Sequence, residues 1–372
     1  MKGNATPGVD GAGVATLLRP GAGAVAARSD MAGGTFNWGI VGTGGIARQF
    51  AADLRLLPGT RLAGVCSRET ATAAAFAAEF DAARACADLG DFFADPGLDA
   101  VYIATPNSVH ADQAVRAIEA GKPVLVEKPL ATSAGEARRI AAAATRRGVF
   151  AMEGLWTRFL PAVREAKRLI DDGRIGEVRE IRAELAYIRT EAADGRLFRP
   201  ELGGGAALDL GVYPLSLAVH VLGRPTSVSG ASQVGPSGVD VRTDFHLGFG
   251  AAEARLSCGF DRDGDNRFVV VGSKGALRLE SPFLRAQRLT VFSQGSAKAA
   301  LSGGRTLLSR IAARLPLPGR EIRPHAFDGV GLRFEAEAVM RAVRAGETQS
   351  AIMPLADSIA VLEVIDAVRA AR

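Results

Sequence analysis

Three stretches of this sequence hold residues whose types and spacing suit chemistry. The first is Val124-Leu125-Val126-Glu127-Lys128-Pro129, an apolar run that ends in a carboxylate, an amine and a proline. Such a run reads as a buried parallel strand, and in open α/β sheets ligands collect at the carboxyl ends of those strands. Glu127 and Lys128 are therefore expected at the mouth of a cleft. Pro129 fixes its own φ and permits a cis peptide bond, one way to aim a lysine. A solvated lysine at a strand end fits this stretch alone as well. The second stretch is Gly42-x-Gly44-x-x-Ala47, between an apolar strand and a helical pattern. Here Gly42 permits a tight turn, Gly44 lets the backbone approach a pyrophosphate, and Ala47 allows close helix packing, with the helix N-terminus facing the phosphates. The third is Gly203-Gly204-Gly205 followed by Asp209 and Tyr213, which are four residues apart. One helical turn puts that pair on one face, although Pro214 makes the helix irregular there or delays its start. Taken alone, Asp209 and Tyr213 also fit a buried tyrosine satisfied by an aspartate.

These residues need a frame, and the pattern supplies one. Strands at Phe36–Val41, Arg61–Cys66, Leu98–Thr105 and Val124–Pro129 alternate with Ala-rich helical stretches. That alternation predicts an α/β fold, an N-terminal Rossmann doubly wound parallel sheet. A carboxylate for the ribose hydroxyls usually ends the second strand of such a sheet; here Ser67-Arg68 stands there, followed by Glu69. A hydroxyl and a guanidinium suit a 2′-phosphate, which favours NADP, with NAD less favoured. Thr105-Pro106-Asn107-Ser108 closes another strand, and Asn107 or Ser108 is expected to cap the next helix. His110, in its first turn, either faces the cofactor or serves the structure. Ser133-x-x-Glu136 reads as a capping box. Trp156, Arg158 and Phe159 leave the last strand of this domain, and the aromatics either line a pocket beside the nicotinamide or pack the domain junction.

Beyond residue 156 the period changes to two. Ile181 to Tyr187, Val241 to Phe249 and Ala252 to Phe260 alternate apolar with polar residues, and Gly272-Ser273-Lys274-Gly275 reads as a hairpin turn. This predicts a C-terminal α+β domain with an open, mainly antiparallel sheet. The expected organisation is a disordered extension at 1–35, a dinucleotide-binding domain at 36–155 and a substrate-binding and oligomerisation domain at 156–372. Met31 is a plausible alternative translation start. Residues 293–324, rich in Gly, Ser and Arg with an amphipathic patch at 306–315, read as a loop or mobile insertion.

Composition narrows the function. The net charge of +5 on 372 residues is spread along the chain as arginine without a polybasic tract, so nucleic acid is not expected. No run of eighteen apolar residues suggests a membrane span. Three well-separated cysteines fit a reduced, cytoplasmic setting, and four histidines without ligand spacing predict no metal.

The combination of Gly42-x-Gly44-x-x-Ala47, Ala104-Thr105-Pro106-Asn107, Glu127-Lys128-Pro129 and Gly204-Gly205 with Asp209 and Tyr213 resembles the Gfo/Idh/MocA oxidoreductase family. Glu153-Gly154-Leu155-Trp156-Thr157-Arg158-Phe159 and Arg333-Phe334-Glu335-Ala336-Glu337 are similar to its branch of dihydrodiol and NADP-linked xylose dehydrogenases. The resemblance implies a Rossmann domain with a C-terminal sheet often used for dimerisation, a lysine at Lys128, its aspartate at Asp209 and an acid/base at Tyr213. It places cofactor contacts at Gly42, Thr43, Gly44, Gly45, Ile46, Ser67, Arg68, Thr105, Asn107, His110, Glu127, Lys128, Trp156 and Arg158. The expected activity is NADP-dependent hydride transfer to or from a sugar or cyclic diol. Tyr213 is the expected acid/base on the substrate oxygen. Its ordinary pKa of about 10 needs help from the Lys128 ammonium, which favours the phenolate and donates to that oxygen. The competing readings are an NADP(H)-binding regulator without turnover and a glycosidase that keeps its cofactor. A homodimer or higher homo-oligomer through the C-terminal sheet is expected.

Overall fold

The first sheet is built from short strands that are apolar on both faces: β1 (Phe36–Val41), β2 (Thr60–Cys66), β3 (Arg84–Cys86), β4 (Ala100–Ile103), β5 (Val124–Glu127) and β6 (Ala151–Gly154). This computed structural model describes residues 34–191, 195–301 and 318–371. The strands run parallel in the order β3-β2-β1-β4-β5-β6. Helices cover both faces, which is why β4, β5 and β6 are buried along their whole length. The order reverses between β1 and β4, and at such a switch point a crevice opens at the carboxyl ends of the strands. The doubly wound domain is the one expected. The short, half-buried β3 carries too few residues to show a period, and sequence patterning missed it.

Gly42 turns the chain out of β1 at φ 100°, and a Cβ there would lie 2.5 Å from the carbonyl oxygen of Ala104 at the end of β4. Only glycine fits that turn between the two strands flanking the switch point. Ser133 does cap the helix Ala134–Arg147, accepting from the N–H of Glu136 at 3.3 Å. The Glu136 carboxylate reaches back one residue further than a capping box requires, to the N–H of Thr132 at 2.9 Å.

The second sheet has eight strands: β7 (Val178–Ala186), β8 (Ser227–Val234), β9 (Asp240–Phe249), β10 (Ala252–Gly259), β11 (Phe268–Gly272), β12 (Gly275–Leu279), β13 (Arg288–Ser293) and β14 (Arg320–Pro324). Their order is β14-β13-β12-β11-β7-β10-β9-β8. The expected hairpin joins β11 to β12. Every neighbouring pair is antiparallel except β7 and β10. Between those two, the chain leaves the sheet through the helix Val212–Leu222 and re-enters by the β8–β9 hairpin, and such a long excursion permits a parallel return. The 293–324 segment, read as a loop, holds the short helix Ala297–Leu301 and the edge strand β14. The patch at 306–315 and nearly all of the extension at 1–35 lie outside the described residues.

The C-terminal helices return to the first domain. The buried Asp53 carboxylate accepts from the N–H groups of Val330, Gly331 and Arg333 at 2.9, 2.8 and 3.3 Å, so a side chain of the helix Gly45–Leu54 caps the start of the helix Leu332–Arg344. Asp366, on the helix Leu355–Ala370, accepts from the N–H of Ala134 at 2.9 Å. The helical run Pro200–Leu222 is apolar and long enough to cross a membrane, but 78% of its most apolar window is buried within the protein.

Candidate active site

Lys128 stands at the carboxyl end of β5, where the apolar run predicted it. Its Nζ donates to the Asp209 carboxylate at 2.9 Å and to the Asp209 carbonyl oxygen at 2.8 Å. Both side chains are 14% exposed, so the ion pair sits in a wall and not on an open surface. The same Nζ lies 4.9 Å from the centre of the Tyr213 ring. These three groups line one cleft of about 560 Å³, with Tyr187, Arg189, Arg196 and Leu284 around them. A larger hollow of about 690 Å³ lies on the second sheet around His246, Glu253 and Arg179, away from every strand end of the first sheet.

A distortion in the chain brings Asp209 and Tyr213 to this cleft. Residues Ala207–Gly211 form a π turn that runs straight into the α-helix Val212–Leu222. Pro214 falls in the first turn of that helix and offers no N–H to the turn before it, which accounts for the wider turn. Gly205, at φ 115°, starts the segment; a Cβ there would lie 2.5 Å from the Asp240 carboxylate that accepts from the N–H of Ala207. Of the two openings the sequence left for this helix, the irregular one is found.

Electrostatics separate the roles of the three residues. Burial alone would lower the Lys128 pKa, but Asp209, Tyr213 and Glu127 together outweigh it and hold the ammonium above its ordinary range. Burial alone would raise Asp209, and Lys128 together with Arg196 and Arg189 reverses that, leaving the carboxyl below its ordinary range. Tyr213 is different: burial dominates, the Lys128 charge opposes it only in part, and the phenol is pushed up to about 12. The lysine therefore does not make the tyrosine a phenolate in this resting state. Lys128 sits over the ring, and it is Trp156 Nε1 that donates to the Tyr213 hydroxyl oxygen, at 3.3 Å. That contact was not foreseen. An aromatic residue leaving β6 was the signal, but its hydrogen-bond partner is 57 residues away in sequence.

Other predicted residues brace the site from behind. Glu127, 5% exposed, turns inward, accepting from the Tyr102 hydroxyl and, at 2.9 Å, from the N–H of Lys128. His110 has no exposure and does not face the cleft; its ring nitrogens lie 2.8 Å from the Pro129 carbonyl and 2.9 Å from that of Thr105. Burial holds its pKa below the ordinary value, and a neutral ring donates to only one of these two carbonyls, so His110 packs against the ends of both β4 and β5 but bonds to one. Asn107 does not cap the following helix. Its Nδ2 donates across to the Gly203 carbonyl at 2.9 Å, joining the β4 loop to the glycine run. Thr105 Oγ1 contacts Gln113 at 2.7 Å. Arg158 is likewise fully buried and turned away from the open site. It donates to Ser216 Oγ at 2.8 Å, the Ser216 carbonyl at 2.6 Å, the Ile352 carbonyl at 3.0 Å and Asp357 at 2.6 Å. It is a stitch between three parts of the chain and not the cofactor contact expected of it, because all its bonds go to Ser216, Ile352 and Asp357.

The glycine turn has the features a dinucleotide needs. Gly44 and Gly45 face open space, since a Cβ at either would meet nothing within 4 Å. The helix Gly45–Leu54 that follows has no side-chain cap and no acidic residue in its first turn, so its N–H groups and its dipole remain available to an anion. Thr43 and Ile46 are half-buried beside them, and Ser67 and exposed Arg68 follow the neighbouring strand β2. Residues of these types in this place fit a dinucleotide phosphate. Among the described residues, no cluster of side chains suits a metal ion.

The chain is similar to known proteins. Residues 36–155 match the oxidoreductase family with an NAD-binding Rossmann fold called GFO_IDH_MocA, and residues 163–278 match the GFO/IDH/MocA C-terminal domain. A trans-1,2-dihydrobenzene-1,2-diol dehydrogenase of Bos taurus is 30% identical over 90% of this chain and 96% of its own. A D-xylose 1-dehydrogenase (NADP(+)) of Hypocrea jecorina is 31% identical over 89% of this chain and 90% of its own. The solved structure of KijD10, a 3-ketoreductase from Actinomadura kijaniata in complex with NADP and TDP-benzene, superposes with a TM-score of 0.74 at 26% identity, over 90% of this chain and 97% of that one. The chain belongs to the GFO/IDH/MocA family of NAD(P)-dependent oxidoreductases.

Proposed function

We propose that this protein is an NADP-dependent oxidoreductase that moves a hydride between the nicotinamide and a hydroxyl-bearing carbon of a sugar or cyclic diol. The observation that carries the reading is the convergence of Lys128, Asp209 and Tyr213 on one cleft beside the strand ends of the dinucleotide-binding sheet. The names of the diol and xylose dehydrogenase relatives support the substrate class, and Ser67-Arg68 together with those names supports NADP. Gly42, Thr43, Gly44, Gly45 and Ile46 would hold the pyrophosphate, and Ser67 and Arg68 the 2′-phosphate. When bound, the cofactor supplies the hydride chemistry.

The protein's own part is the proton. Tyr213 keeps its proton up to about 12, so in the reductive direction it is a ready acid for the substrate oxygen. In the oxidative direction it must take a proton. The Lys128 charge at the ring and the Trp156 N–H at the hydroxyl both favour the phenolate and lower the cost of reaching it. Two contacts of the Lys128 ammonium go to Asp209, which leaves a third N–H to donate to the substrate oxygen. Asp209 fixes the lysine and keeps it charged. Association of two or more copies would use the second sheet, whose edge strand β8 is exposed almost throughout.

The test is absorbance of reduced nicotinamide with purified protein, NADP+ or NAD+, and a panel of pentoses, hexoses and cyclic diols together with their uronates and phosphate esters. Reduction of NADP+ by a panel member is the expected result. Cofactor binding with no reduction across the panel would overturn the reading, and activity with NAD+ alone would overturn the role given to Ser67 and Arg68.

A further inference from the structure

The cleft beside Lys128 carries more positive charge than proton transfer uses. Lys128 is answered by Asp209. Arg189 and Arg196 line the same cleft, and among the described residues neither has a carboxylate partner. Arg189 is half-buried after β7, its guanidinium 5.6 Å from the centre of the Tyr187 ring, and its buried Nε has no hydrogen-bond partner among the described residues. Arg196 is exposed at the rim. Both lie close enough to Asp209 to act on its charge. A desolvated guanidinium N–H without an acceptor is costly, and an acceptor supplied by a ligand in this cleft would remove that cost. The rings of Tyr187 and Tyr213 add flat faces suited to a sugar.

We infer that the substrate of this cleft bears an anionic group, a carboxylate or a phosphate ester, which Arg189 and Arg196 bind while its reacting carbon lies against Lys128 and Tyr213. The inference rests on the oxidoreductase reading for the reacting end and on the two arginines for the other. A guanidinium fork accepts either anion through two parallel N–H bonds, so the structure defines the charge and not its source. Arg189, set on a strand end and stacked on Tyr187, is the fixed contact. Arg196, exposed at the rim, is the outer one.

The experiment measures binding and turnover separately. Neutral pentoses and hexoses are titrated calorimetrically into the protein with NADP+, beside their uronates and their terminal phosphate esters. The same panel is followed by nicotinamide absorbance. Wild-type protein is expected to bind at least one anionic member about tenfold or more tightly than its neutral parent. Arg189→Ala and Arg196→Ala are each expected to raise the KM for that member with a smaller change in kcat, and Arg189→Lys to restore part of the affinity. Preference for the uronate identifies a carboxylate, and preference for the ester a phosphate. Equal affinity for neutral and anionic members, or a preference that survives both alanine substitutions, overturns the inference. Turnover of neutral sugars without anion preference would remove this inference and leave the oxidoreductase reading standing. Arginine-dependent binding without hydride transfer would do the reverse.

Discussion

Replacing Lys128 by methionine removes one charge from a buried pair and keeps most of the volume. The partner left behind is a carboxylate only 14% exposed, held at 2.9 Å in the native protein. Breaking such a pair costs about 3–5 kcal/mol, because the remaining ion is desolvated without compensation. The residual exposure of both groups at a cleft wall argues for the lower end, about 3 kcal/mol, or a fall in Tm of about 4 °C for a chain of this size. The cost depends on pH. Asp209 has its pKa depressed, so its contribution is present above the ordinary value of about 3.9 and is lost as pH falls through the depressed value. Lys128 has its pKa raised, so its contribution is present below about 10.4 and is lost as pH rises through the raised value. The deficit of Lys128→Met is therefore widest between about pH 4 and 10, and shrinks at low pH where Asp209 takes up a proton. Lys128→Met/Asp209→Asn, which removes both charges, is expected to recover most of the lost stability, because no unpaired ion remains. Turnover is expected to fall by about 10²- to 10³-fold in both variants, since neither supplies the donor to the substrate oxygen. Thermal unfolding across pH and steady-state nicotinamide absorbance, with cofactor affinity from fluorescence, read the two effects apart. Turnover of Lys128→Met within about threefold of wild type would refute the role given to the lysine, whatever happens to stability.

Three further outcomes are expected. Trp156→Phe removes the donor at 3.3 Å from the Tyr213 hydroxyl, so the phenol pKa should rise further; the oxidative rate should fall about three- to tenfold, with its alkaline limb moved to higher pH, as a rate–pH profile would show. Arg158→Met leaves Asp357 without its buried cation and frees the Ser216 and Ile352 carbonyls, and should cost about 3–5 kcal/mol by denaturant unfolding. The cofactor KM of the surviving folded fraction of that variant should be little changed. Arg68→Ala should raise the KM for NADP about tenfold or more and leave that for NAD nearly unchanged, as paired saturation curves would show.

Readability from sequence divided along physical lines. Local patterns carried the first domain. Gly42 was legible because a turn at φ 100° against the Ala104 carbonyl admits no side chain. Lys128 was legible because an apolar run must end at a strand mouth. The alternation in β9 and β10 announced the second sheet, since one face is buried and the other is not. What escaped depends on partners distant in sequence. Nothing local separates Arg158, sealed against Ser216 and Asp357, from an arginine facing a phosphate. His110 has the right place for a cofactor contact, yet both its nitrogens face backbone carbonyls and not the cleft. Asn107 has the chemistry of a helix cap but is drawn to Gly203 by the approach of the two loops. The parallel pairing of β7 with β10 is a property of the route between them, which strand patterns do not encode. Arg189 and Arg196 sit in a stretch with no period, and only the fold shows that they flank Lys128.

Tyr213→Phe tests the central claim most directly. The substitution removes one oxygen and keeps the ring beneath Lys128. Single-turnover hydride transfer, followed by nicotinamide absorbance with the substrate found in the panel, should slow by about 10²- to 10⁴-fold while NADP affinity stays within about twofold of wild type. Hydride transfer at the wild-type rate would show that the proton moves through another group, and would contradict the account.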